Sequence, residues 1–180
     1  MNTQFSHRFF DFRPSWMAGC LAVLLAVAGG AGRAAEPASA ALSLELQSPD
    51  GRIVVTVNPT GAVTYRVAVD GTPVLNESRL GLRLRDGELG RDVTLVKADR
   101  SEADATWINP LGKRREVRDR HRELALTLRE RAGGREFQVI FRAFDDGVGF
   151  RYALPAGAGA KDFVVEEELT EFAFTADNIC

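Results

Sequence analysis

Two cysteines, Cys20 and Cys180, are all the sulfur available for cross-linking in 180 residues. One lies in the apolar N-terminal stretch and the other is the last residue, so a structural disulfide or a zinc site finds no suitable spacing. Histidine is equally scarce, with only His7 and His121, which leaves little room for a histidine-based metal centre or catalytic triad. Charge of one sign is also lacking. Lys and Arg total 23 against 25 Asp and Glu, a net charge of −2, which gives no general pull toward nucleic acid or an anionic membrane. After residue 40 no segment of ten residues or more carries a helical stripe, and no internal repeat of fixed period emerges. Those absences leave a β-rich chain whose length suits one domain with a real core.

The apolar content begins with a targeting pattern. His7, Arg8 and Arg13 make a mildly basic start, and Trp16 to Gly30 follows as 15 residues without a charge. That is short of the roughly 20 needed for a membrane-spanning helix. Small residues come next, with cleavage expected after Ala34 or Ala40, so residues 1–40 read as a secretory signal peptide. A lipoprotein signal through Cys20 is the rival, and it fails because most of the apolar region comes after that cysteine. An uncleaved anchor is the remaining alternative. The export reading predicts a periplasmic or extracellular location and no stable membrane anchor.

From residue 41 onward the period is two. Leu42, Leu44 and Leu46 alternate before the turn Ser48-Pro49-Asp50-Gly51, and Ile53, Val55 and Val57 alternate before Asn58-Pro59-Thr60-Gly61. Val63, Tyr65, Val67 and Val69 run into Asp70-Gly71, a two-residue hairpin signal. A short piece at 73–75 leads into Leu80, Leu82 and Leu84, Asp86-Gly87 turns the chain, and Val93 with Leu95 mark another strand. Residues 98–112 read as irregular. A run dense in both charge signs, Lys113 to Glu123, precedes the alternating Leu124, Leu126 and Leu128. The most ordered stretch is Phe137 to Tyr152, in which two aromatic-rich strands flank Asp145-Asp146-Gly147. Phe163-Val164-Val165 and Phe172-Ala173-Phe174 are the last strand candidates. Short strands at close spacing with Gly, Asp and Asn turns predict an all-β, antiparallel sandwich. The chain stops at Asp177-Asn178-Ile179-Cys180 with no closing turn, which reads as a C-terminally incomplete domain, a fragment or a truncated gene.

Three constellations carry charge that chemistry could use. The basic run could track a polyanion, but Glu116, Asp119 and Glu123 interleave with it and stacking aromatics are missing, so a salt-bridged strand face is expected. Asp145-Asp146 could be a carboxylate pair, but adjacent residues on a tight turn diverge and Gly147 accounts for the motif as turn chemistry. Glu166-Glu167-Glu168 with Glu171 could gather a hard cation, since calcium takes several carboxylate oxygens. It equally reads as an edge kept charged against aggregation, with Glu166 and Glu168 on one face and Glu167 on the other. Asp177 and Asn178 could join such a site. Nothing has the form of a nucleophile and its base.

Taken in order, several of these motifs resemble the N-terminal domain of glycoside hydrolase family 97, a family of exported α-glucosidases and α-galactosidases. The matching pieces are Leu46 to Gly51, Val63-Thr64-Tyr65, Glu77 to Leu82, Trp107 and Gly112, Arg122 to Leu128, Phe141 to Tyr152, and Glu167-Glu168 through Phe172. The resemblance implies a galactose-mutarotase-like supersandwich over residues 41–180, packed in the full enzyme against a catalytic (β/α)8 barrel that acts on an α-linked oligosaccharide. Some members bind calcium near the substrate with help from a sandwich glutamate. That glutamate is expected just past Cys180, so no metal ligand and no catalytic residue is assigned to this chain. Glu168, Asp177 and Asn178 remain as substrate-side or interface candidates. Without its barrel the chain should be catalytically inactive. The alternative is an independent exported carbohydrate-binding sandwich, which the scarcity of Trp and Tyr disfavours.

Overall fold

The computed structural model describes residues 42–111, 113–155 and 163–176. The segment read as a signal, residues 1–40, lies outside them, as do Cys20, Cys180, Asp177 and Asn178. Every described element is a β-strand. The strands are β1 (Leu44–Gln47), β2 (Ile53–Asn58), β3 (Thr64–Val69), β4 (Thr72–Arg79), β5 (Leu82–Leu84), β6 (Gly87–Leu89), β7 (Val93–Ile108), β8 (Glu116–Glu130), β9 (Glu136–Phe144), β10 (Gly147–Ala153) and β11 (Val165–Glu168). They form three antiparallel sheets, ordered β1-β2-β3-β4, β10-β9-β8-β7 and β11-β5-β6. The first sheet packs on the second through β1 and β2 against β8, β9 and β10.

Alternation in the sequence decides which face each strand buries. In β2, Ile53, Val55 and Val57 point inward while Val54, Thr56 and Asn58 are only half-buried. Leu124, Leu126 and Leu128 of β8 and Phe137, Val139 and Phe141 of β9 are fully buried in the same core. Burying each such side chain contributes about 1.5–3 kcal/mol, so these six and their partners on β2 hold the layers together. The third sheet adds Leu82, Leu84 and Leu89 to the same core, and Leu80 joins them from the link between β4 and β5. Two turns depend on left-handed backbone. Asp70 (φ 49°) and Gly71 (φ 76°) make the β3–β4 hairpin, where Asp is one of the few side-chain-bearing residues that tolerates that region. Gly90 (φ 89°) passes so close to the Leu80-Gly81 link before β5 that a Cβ there would lie 2.5 Å from the Leu80 carbonyl oxygen.

The aromatic hairpin forms as expected, with Phe144 opposite Gly147 and Phe150 opposite Phe141. The strand expected at 73–75 is longer, because β4 runs to Arg79 along β3 with two register shifts. The reading of 98–112 as irregular is corrected. Residues Val93–Ile108 are one strand, paired residue by residue with β8 from Lys97↔Thr127 to Ile108↔Glu116. Alternation was invisible there because β7 is exposed on both sides from Val96 onward, so no apolar period was imposed on its sequence. Phe174 joins as a single bridge to Leu75. Around it, Asn76 N–H donates to the Ala173 carbonyl at 2.8 Å and Thr175 N–H to that of Val74 at 3.2 Å, extending the first sheet past β4.

Candidate functional site

Five rings gather where β3, β9, β10 and the 170–174 segment meet. Tyr65 lies 5.9 Å from Phe141, 5.7 Å from Phe150 and 6.5 Å edge-on from Phe172, and Phe150 lies 6.1 Å from Tyr152. Such offset and edge-on pairs add about 0.5–1.5 kcal/mol beyond burial. Tyr65 is 2% exposed, and its hydroxyl donates to the Glu171 carbonyl at 2.9 Å. Burial disfavours the phenolate, aided by the nearby Tyr152, and pushes Tyr65 up to about 12. Tyr152 is raised as well, chiefly by burial.

From this cluster a hydrogen-bond chain runs outward. The Tyr152 hydroxyl meets Thr170 Oγ1 at 2.9 Å, and Thr170 Oγ1 donates to Glu168 Oε1 at 2.8 Å. Glu168 therefore sits at the exposed end of a relay that begins in the core. The relay was not legible in the sequence, since Tyr152 and Thr170 are 18 positions apart. The neighbouring glutamates form ion pairs. Glu167 pairs with Arg83, Glu166 with Arg85 at 3.8 Å, and Glu171 with Arg79 at 3.7 Å. The expected alternation of Glu166 and Glu168 against Glu167 does not hold. A register shift between Val165 and Glu167 interrupts the period, and all three glutamates are exposed.

Calcium needs several oxygens converging on one point. Among the described residues no group of three or more Asp, Glu, His or Cys side chains is placed to hold a metal ion. Arg79, Arg83 and Arg85 already occupy three of the four glutamates, so this edge does not fit calcium. Asp177 and Asn178 lie outside the described residues.

The charged run becomes a paired strand face. Arg118 grips Asp104 through two bonds of 2.7 and 2.6 Å, Arg120 reaches Asp145 at 3.0 Å, and Arg142 reaches Glu123 at 2.6 Å. The carboxyl of Asp104 is held below its ordinary range, first by the hydrogen bond from Arg118. His121 is 4% exposed, with Nδ1 2.5 Å from Asp119 and its ring 5.2 Å from Phe144. A recess of about 410 Å³ opens beside it, bordered by Pro49, Glu102, Asp104, Arg120 and Arg122. No hydroxyl or thiol nucleophile lines it, and Arg118 and Arg122 hold its carboxylates. Among the described residues the recess therefore holds no side-chain nucleophile paired with a base.

Asp145 proves to be a connector. Its Oδ1 accepts from the Asp50 amide at 2.9 Å while Oδ2 takes Arg120. The Ser48–Gly51 turn is knit within itself, with Ser48 Oγ donating to Asp50 Oδ1 at 2.5 Å and the Arg52 amide donating to the same oxygen at 3.1 Å. These two bonds hold the Asp50 carboxyl below its ordinary range. Arg122 adds a bond to the Ser48 carbonyl at 3.2 Å. The two turns, 95 residues apart, thus lock the sandwich layers together. Asp146 is exposed and takes no part.

The geometry defines a structural class: an antiparallel β-sandwich module whose charged side chains mostly form exposed ion pairs between strands and turns. Comparison with known proteins narrows this. Residues 46–180 match the family described as Glycosyl-hydrolase 97 N-terminal, and the chain belongs to that family. Among curated relatives, a retaining alpha-galactosidase of Bacteroides thetaiotaomicron is 27% identical over 133 residues, 73% of this chain and 19% of the relative. A probable retaining alpha-galactosidase of Streptomyces bingchenggensis is 36% identical over 100 residues, 56% of this chain and 16% of the relative. Of solved structures, a Glycoside Hydrolase Family 97 enzyme from Pseudoalteromonas sp., in complex with panose, superimposes with a TM-score of 0.67 at 32% identity. The match covers 73% of this chain and 20% of that one. A beta-arabinopyranosidase superimposes with the same TM-score at 28% identity. The chain thus spans about a fifth of the length of these relatives.

Proposed function

We propose that this chain is the non-catalytic N-terminal sandwich module of an exported α-glycoside hydrolase. Its role is to support and shape the active site of a (β/α)8 barrel lying in the remaining length of the family polypeptide. One observation carries the reading: a family match over residues 46–180 coincides with a fold in which the carboxylates Asp104, Glu123 and Asp145 are held by arginines. An α-galactoside is the substrate class suggested by the names of the curated relatives, an α-glucoside is the other class the family resemblance implies, and export is suggested by the apolar segment at 16–30. Any calcium would belong to the completed enzyme. Glu168, at the end of the Tyr152–Thr170 relay, is the residue of this module we place nearest an interface.

The test is a segment exchange. Residues 46–180 replace the aligned fifth of the Pseudoalteromonas enzyme, and hydrolysis of nitrophenyl α-glycosides is compared for the chimera and for the 180-residue chain alone. An active chimera and an inactive chain are expected. Turnover by the chain alone would overturn the reading. An inactive chimera, together with maltooligosaccharide binding by the isolated chain at micromolar Kd, would favour an independent carbohydrate-binding sandwich.

A further inference from the structure

β8 and β9 stop pairing at His121↔Phe144, but β7 and β8 continue for five more pairs, from Asp104↔Arg120 to Ile108↔Glu116. A two-stranded arm therefore projects past the sheet that supports its base. An isolated two-stranded ribbon is marginal in water, so such an arm gains from contact with something else. Its end is ordered by its own backbone. The Asn109 amide donates to the Arg115 carbonyl at 2.7 Å, and the Leu111 amide donates to Asn109 Oδ1 at 3.1 Å.

The side chains at that end face water. Trp107 is 49% exposed, Ile108 54% and Leu111 80%. Beside them Lys113, Arg114 and Arg115 are exposed, and among the described residues none of the three makes an ion pair, whereas Arg118 just below is bound to Asp104. Exposed large apolar residues rimmed by unpaired charge mark interaction sites, and Trp and Arg are the residue types enriched in interface anchors.

We infer that the β7–β8 arm is a docking finger, and that its tip seats in an apolar recess with an acidic rim on the part of the family polypeptide downstream of this module. The inference rests on the module reading above and names the surface through which the module acts. Charge complementarity sets the rim: three unpaired cations against the single carboxylate of Glu116 leave the tip basic. The relatives supply the occupant, since about four-fifths of their length lies outside the matched segment. An anionic lipid surface fits less well. At the base of the arm Asp99, Glu102 and Asp104 are balanced by Lys97, Arg122 and Arg118, so free positive charge is concentrated at the tip of a chain that is net −2.

Hydrogen exchange read by mass spectrometry tests this in the full 180-residue chain and in the chimera. Amides of 104–108 and 116–120 should exchange at least about tenfold more slowly in the chimera than in the chain alone. That protection should disappear in W107A/L111A and in the charge reversal K113E/R114E/R115E. Both variants should leave the urea midpoint of the 180-residue chain unchanged, because the altered side chains are exposed. Equal exchange rates in an active chimera would sink the inference while leaving the module reading intact. Protection that grows with concentration of the chain alone would point to a second copy, and protection by phosphatidylglycerol vesicles to a lipid surface; either overturns it. An unfolded, inactive chimera would overturn the module reading and this inference with it.

Discussion

The two tyrosines of this chain give an unusually clean handle on its core. Tyr65 ionises near 10 when exposed but is pushed up to about 12 in the fold, and Tyr152 is also raised. The sign follows from proton linkage. Between pH 10 and 12 the folded state holds the phenolic proton more tightly than the unfolded chain, so stability present below pH 10 is lost as pH rises through 12. Two pH units correspond to about 2.7 kcal/mol, of which about 2 is lost by pH 12 itself. Tyr65→Phe removes the titration and also the bond to the Glu171 carbonyl, worth about 1 kcal/mol net. Urea unfolding from pH 8 to 12 should therefore give crossing curves. The variant should be less stable by about 1 kcal/mol at pH 8 and more stable by about the same amount at pH 12. Native-state absorbance at 295 nm should show no phenolate step near pH 10. Parallel stability curves, or a phenolate step near pH 10 that Tyr65→Phe abolishes, would refute the packing described for Tyr65.

Other expectations follow from single contacts. Phe141→Ala empties the centre of the ring cluster and should cost about 3–5 kcal/mol in urea unfolding, since Phe141 is fully buried. Asp145→Ala should cost about 1 kcal/mol by cutting the link to Asp50 and Arg120, whereas Asp146→Ala should stay within about 0.5 kcal/mol. Equal thermal shifts for the two would show that Asp145 is not the connector. Gly90→Ala should destabilise by about 3 kcal/mol or more, because φ is 89° and the new Cβ would meet the Leu80 carbonyl oxygen at 2.5 Å. A native-like melting temperature for that variant would contradict the close approach of Leu80 and Gly81 to the Gly90 backbone.

Most of the core was legible before any fold was known. Wherever a strand has one dry face and one wet face, burial imposes a period of two, and Leu46, Val55, Tyr65, Leu126 and Phe141 all fall where alternation puts them. The turns were equally readable, because Asp70-Gly71 and Asp145-Asp146-Gly147 supply backbone conformations and hydrogen bonds that few other residue types offer. The same logic explains the miss. The outer half of β7 is wet on both faces, so its sequence carries no period and reads as a loop until its pairing with β8 is seen.

The sequence by itself determined a β-sandwich, the buried face of each dry strand, and the family to which the chain belongs, because those rest on local patterning and motif order. Only the tertiary structure decided what the charged residues do. Whether Asp145 is an acid or a clamp depends on Asp50 and Arg120. Whether the glutamates between 166 and 171 gather a cation depends on Arg79, Arg83 and Arg85, which pair with three of them. Whether Trp107 belongs to a core depends on where β9 stops. Each of these depends on partners distant along the chain, and a carboxylate or an aromatic ring has no assigned role until the fold has brought those partners together.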